Sequence, residues 1–137
     1  MSNGMNQELV REQEEVFSRA FAAKNLELAR SLYSPEVLYL SPTVRLFDQP
    51  SRIEGRDATL AFVSLTIEQV ENVSYEAVEI AVLPSGDAAF VRIHFDWDSG
   101  PSRLRSNYIS LYRYDQKRIC QQELYYDPSG RLEVLGG

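Results

Sequence analysis

A chain of 137 residues with 14 basic and 20 acidic side chains, net charge −6, fits one domain large enough to bury a core without disulfides or metals. The acidic balance disfavours nucleic acid and anionic membrane surfaces, so neither is expected as a partner. One cysteine, Cys120, and one histidine, His94, make neither a disulfide framework nor a metal cluster, and the lone thiol fits a reducing cytoplasm.

Residues 1–7 are polar and lack the basic start and apolar stretch of a secretory signal, so they read as a disordered tail before a single domain over 8–137. No apolar run approaches the roughly 20 residues of a membrane span. From Glu8 to Lys24, Leu9, Val16, Phe17, Ala20 and Phe21 form a stripe at helical spacing, with Glu12, Glu14, Glu15 and Arg19 expected in water. Asn25 can cap a second short helix, Leu26 to Tyr33, which Pro35 ends. Val37 to Ser41 reads as a short strand stopped by Pro42.

Thr43 to Arg56 is a long loop, of the kind that lies over a pocket mouth or is a plain surface excursion. Asp57 can cap a third helix on which Leu60, Val63, Ile67 and Val70 step by three and four. From Ser74 the period becomes two: Val78, Ile80 and Val82 share a face up to the turn at Pro84, Ser85, Gly86 and Asp87. The next strand is the best patterned, with Val91, Ile93, Phe95 and Trp97 on one face and Arg92, His94, Asp96 and Asp98 on the other. Two more strands follow, Arg103 to Tyr114 and Arg118 to Tyr126. The order is helix, helix, strand, helix, four strands.

Three segments carry a family resemblance: Phe17 to Pro42 (F-S-R-A-F-A-A-K-N-L-E-L-A-R-S-L-Y-S-P-E-V-L-Y-L-S-P), I-E-G-R-D-A-T-L-A-F before the third helix, and R-Y-D-Q-K-R-I leading into the last strand. With them the chain resembles the nuclear transport factor 2-like superfamily, in particular its SnoaL-like and ketosteroid-isomerase-like branch, over Glu15 to Tyr126. The resemblance implies an α+β, cystatin-like fold: a cone-shaped, curved, mostly antiparallel sheet whose pocket is enclosed by three helices from the N-terminal half. It also implies pairing of two subunits through the outer sheet face, here a homodimer.

Carried over position by position, the isomerase pattern loses its chemistry. The family's proton-donating tyrosine on the first helix falls on Phe17, its carboxylate base before a proline on Ser41, and its second acidic donor near Ser110. Phenylalanine cannot hydrogen-bond an oxyanion and a neutral serine cannot take a proton from carbon, so ketosteroid isomerisation is not expected.

The same positions suggest a cavity lined by Phe17, Tyr39, Ser41, Val91, Ile93, Phe95, Tyr108, Ser110, Tyr112, Gln122, Leu124 and Tyr126. Such a wall of aromatics with a few hydroxyls and an amide suits an apolar ring compound held by two or three polar contacts. Read blandly, the aromatics are core. The catalytic groups are left open among Tyr108, Tyr126, Asp48, His94 and Asp96. Glu54 and Glu123 are further acids within reach of a pocket mouth. R-x-H-x-D over Arg92 to Asp96 looks like an acid–base constellation, but alternation turns it outward if Val91, Ile93 and Phe95 point in. It would then form polar pairs with Arg103, Arg105 and Asn107 at a subunit interface. Cys120, without an evident electropositive neighbour, reads as a small buried thiol.

Two readings of function remain open. One is a cofactor-free isomerase, cyclase or dehydratase acting on an apolar ring-containing small molecule. The other is a non-catalytic ligand-binding or dimerisation module with a vestigial pocket.

Overall fold

A computed structural model describes residues 4–41, 52–126 and the backbone of 133–135. The first helix, α1 (Gln7–Ala22), is capped by the Asn6 side chain, which accepts from the Leu9 amide at 2.9 Å. Its buried face comprises Val10, Gln13, Glu14, Phe17, Ala20 and Phe21. Glu14, expected in water, is thus buried, for it stands one turn after Val10 and one before Phe17 on the same stripe. Met5, placed by composition in a disordered tail, is also buried: its amide donates to the Gly86 carbonyl at 2.8 Å.

A 3-10 helix (Leu26–Leu32), with the Asn25 side chain accepting from the Glu27 amide, leads directly into β1 (Tyr33–Leu40). Pro35 therefore lies inside a strand instead of ending a helix. It sits in the register break between Tyr33 and Leu38, where the ladder needs no donor. Within the expected loop the chain forms β2 (Arg52–Glu54), too short for a periodic signal, which pairs with β1. The third helical segment, α2 (Arg56–Glu68), starts after Gly55, whose φ of 99° only glycine adopts freely. Asp57 makes no cap; it pairs with Arg30 instead.

Four long strands follow: β3 (Glu71–Val82), β4 (Ala88–Ser99), β5 (Ser102–Asp115) and β6 (Arg118–Tyr126); β7 (Glu133–Leu135) completes the described sheet. The order is β2-β1-β6-β5-β4-β3, with β1 and β6 parallel and the other neighbours antiparallel. β7 continues the line of β6 along β5, pairing with Arg103 to Arg105. Register breaks in β3 and between β5 and β6 bend the ribbon. The result is the cone-shaped, curved α+β fold, with α1 packed chiefly on β3.

One of those breaks overturns a side-chain assignment. The extra residue in β3 between Ala77 and Glu79 resets the alternation, so Tyr75, Ala77, Ile80 and Val82 face the core and Val78 is 40% exposed. On β4 the alternation holds. Val91 and Ile93 are fully buried and Arg92 is exposed.

Inside the cone the apolar side chains form two clusters. The larger gathers α1, the 3-10 helix and the inner faces of β3, β4 and β5; the smaller consists of Tyr39, Ile53, Phe62 and Leu124. Val63 and Tyr108 pack against both.

Candidate functional site

Where the two clusters meet, a cavity of about 30 Å³ remains, lined by Phe17, Phe21, Leu26, Tyr33, Tyr39, Val63, Tyr75, Tyr108, Tyr112, Gln122 and Leu124. The wall draws on both cores, so the cavity marks the seam between them. At about 30 Å³ it holds a water molecule or two, and it is roughly a tenth of the smallest typical ligand pocket. A ring enters this cavity only if the seam widens.

The aromatic wall is built by stacking. Phe17 lies parallel to Tyr112 with ring centroids 6.1 Å apart, and Phe21 parallel to Tyr75 at 4.9 Å. Burial raises the phenol pKa of Tyr33, Tyr39, Tyr75, Tyr108 and Tyr112 above its ordinary value, so all five are neutral donors at physiological pH. One polar chain crosses the wall: the Tyr33 hydroxyl donates to Gln122 Oε1 at 2.8 Å, and Gln122 Nε2 donates to Ser110 Oγ at 3.2 Å.

Behind the wall lies a second polar group, centred on Glu14. Tyr75 donates its hydroxyl to Glu14 Oε1 at 2.6 Å, Gln13 Nε2 donates to Glu14 Oε2 at 2.9 Å, and Tyr114 donates to Gln13 Oε1 at 2.8 Å. Desolvation pushes the Glu14 carboxyl up to about 6, against the hydrogen bonds from Gln13 and Tyr75 that favour its charged form. The Tyr112 hydroxyl is near enough to act on Glu14, yet it meets no acceptor at hydrogen-bonding distance and angle.

Of the residues the sequence nominated, Phe17, Tyr39, Tyr108, Tyr112, Gln122 and Leu124 line the cavity. Ser110 is fully buried behind Gln122, and Ser41 is buried beside Tyr39. Val91 and Ile93 are core beneath the wall; Phe95 packs edge-on to Phe21 with centroids 5.3 Å apart. Tyr126, half-buried, stands against Tyr108 at 5.3 Å.

The ionisable candidates are elsewhere. His94 lies on the outer face opposite Glu76 and Asn107, and Asp96 is ion-paired with Arg105 at 3.0 Å. Arg92 pairs with Glu79 at 3.2 Å and Arg103 with Asp98 at 3.2 Å, so these charges are matched within one chain. Glu54 is exposed and pairs with Arg52, and Glu123 accepts from Gln121 and Tyr125 on the outer face. Asp48 lies outside the described residues. Cys120 is half-buried away from the cavity, and burial raises its thiol pKa. Among the described residues no cluster of three or more metal-ligating side chains occurs, and no helix is long and apolar enough to cross a membrane.

Sequence reasoning missed Phe21, Leu26, Tyr33, Val63, Tyr75 and Glu14. For Glu14 a signal existed: its spacing from Val10 and Phe17 outweighs its charge. For Tyr75 none did, because the register break in β3 hides its face.

Comparison with known proteins agrees with this architecture. No curated protein matches the sequence. Among solved structures, a putative isomerase from Bacillus subtilis is similar at 20% identity, with 91% of each chain covered and a TM-score of 0.74. A SnoaL-like protein of unknown function from Burkholderia thailandensis is 14% identical over 90% of this chain and 98% of that one, TM-score 0.71. An M. tuberculosis LEH-like epoxide hydrolase is 18% identical over 87% and 83%, TM-score 0.67. At these identities the likeness is one of fold. The SnoaL-like domain model matches residues 14–122, most of the cone and every residue of the cavity wall but Leu124, and the chain belongs to the SnoaL-like family, within the nuclear transport factor 2-like superfamily.

Proposed function

We propose that this protein takes an apolar, ring-containing small molecule into the seam between its two cores and acts on it without a cofactor, by proton transfer of the isomerase, cyclase or dehydratase type. The observation that carries this reading is a desolvated carboxyl, Glu14, held directly behind an aromatic, hydroxyl-bearing cavity wall. Burying a carboxyl beside neutral donors costs stability that a glutamine would not, and such groups gather at functional sites. The named relatives, a putative isomerase and an epoxide hydrolase, support the class of chemistry. The smaller cluster, built from only four buried residues on β1, β2, α2 and β6, is the side that yields when the seam widens.

The second reading, a non-catalytic binding or dimerisation module, is favoured by the small volume of the cavity. Native mass spectrometry of freshly purified protein tests the first. Co-purification of an apolar ring compound, lost when Tyr108 is replaced by Trp to fill the seam, is the expected result. If nothing co-purifies and no member of a panel of aromatic ketones and phenols raises the melting temperature, the small-molecule reading fails.

A further inference from the structure

Resting on that small-molecule reading, we propose that Tyr75 and Glu14 are the proton-transfer pair of the cavity: the Tyr75 phenol exchanges a proton with an acidic O–H, or a C–H beside a carbonyl, of the bound molecule, while Glu14 holds the proton. Tyr75 forms part of the wall, and its hydroxyl already donates to Glu14 Oε1 at 2.6 Å. When a bound molecule gives its proton to the Tyr75 oxygen, the proton on that oxygen moves to Glu14. The balance is a ligand anion, a neutral tyrosine and a neutral carboxylic acid; the reverse step returns the proton. Tyr75 is the catalytic group, and Glu14 acts through it.

Two further features fit this role. Tyr112 also belongs to the wall, stands beside the pair, and carries a fully buried hydroxyl with no partner. A ligand oxygen gaining negative charge in the cavity would accept from it. The groups facing Glu14 are Gln13 on α1, Tyr33 on β1, Tyr75 on β3, and Tyr108, Tyr112 and Tyr114 on β5. None is cationic, so nothing locks the carboxyl in its charged form, and a carboxyl near 6 can both take and return a proton at neutral pH.

The probe for this is 2-naphthol, an apolar ring system whose hydroxyl becomes strongly acidic on excitation and passes its proton only to a base within hydrogen-bond reach. Fluorescence anisotropy reports its binding, and the ratio of naphtholate to naphthol emission reports the transfer. In the unaltered protein the ratio is expected to rise as pH increases through about 6. In Glu14→Gln and Tyr75→Phe binding should persist while the ratio falls roughly ten-fold or more and loses its pH dependence. Should Glu14→Gln fail to fold, Tyr75→Phe, which removes one hydroxyl, decides alone. Unchanged naphtholate emission in a folded variant that binds the probe overturns the proton-transfer pair and leaves the small-molecule reading standing. No binding by the unaltered protein overturns both.

Discussion

Glu14 sets the energetics at the residue scale. Its carboxyl is raised from 4.5 to about 6 by burial, so the folded state binds the proton more tightly than the unfolded chain. The stability this provides is full below 4.5 and is lost as pH rises through about 6. A shift of this size is worth about 2 kcal/mol. Urea unfolding of the unaltered protein should therefore show stability falling between pH 5 and pH 7.5 by about 1 kcal/mol more than in Glu14→Gln, the rest of the effect lying below pH 5. Equal pH dependence in the two proteins would mean that the carboxyl is solvated.

Legibility also divides at this scale. Phe17, Tyr39, Tyr108, Tyr112 and Gln122 line the cavity and stand at or near positions that the family resemblance put forward. Glu14 was not legible, because a carboxylate on a helix with several acids reads as solvated unless spacing is allowed to outrank charge. Tyr33 lies at the junction of a 3-10 helix and a strand, where neither period applies. Its partner Gln122 was visible while the hydroxyl bonded to it was not.

For the elements, long strands were legible and short or broken ones were not. β4 keeps an unbroken register with β5, and its alternation is plain from Ala89 to Ile93, where Val91 and Ile93 are buried and Phe90 and Arg92 exposed. The register of β3 breaks, and the residue inserted after Ala77 moved Val78 to the surface and brought Tyr75 to the wall. Pairing with β1, not alternation, makes Arg52 to Glu54 a strand, and pairing is a property of two segments.

The turn between β3 and β4 shows how local geometry ties the N-terminus down. Gly86 has φ 75°, and a Cβ there would meet the Met5 carbonyl oxygen at 2.7 Å and the Gly4 Cα at 2.9 Å. Gly86→Ala should therefore cost the left-handed strain of about 1–2 kcal/mol and also push residues 4–5 off the turn. Hydrogen exchange at the Met5 amide, now bonded to the Gly86 carbonyl, should accelerate in the variant. An unchanged exchange rate would contradict this docking.

On the scale of the whole molecule, the described residues form a packed cone with a seam between its two cores. Its outer face carries internally matched charges, Arg92 with Glu79 and Asp96 with Arg105. Among them lie exposed apolar side chains, Phe90 at 42% and Tyr125 at 54% exposure. We propose that two copies pair there, burying these rings while the ion pairs stay within each chain. Light scattering should give the mass of a dimer for the unaltered protein and of a monomer for Phe90→Asp, with circular dichroism unchanged. A monomer in both cases would contradict the pairing.

The account depends most on Glu14 being a desolvated carboxyl behind the cavity, and a carbon-13 NMR titration of the glutamate side-chain carboxyls reads this directly. One resonance, absent from Glu14→Gln, should titrate near 6. If every glutamate carboxyl titrates within the ordinary range and the variant removes a signal from that range, the buried carboxyl and the chemistry assigned to it are both wrong.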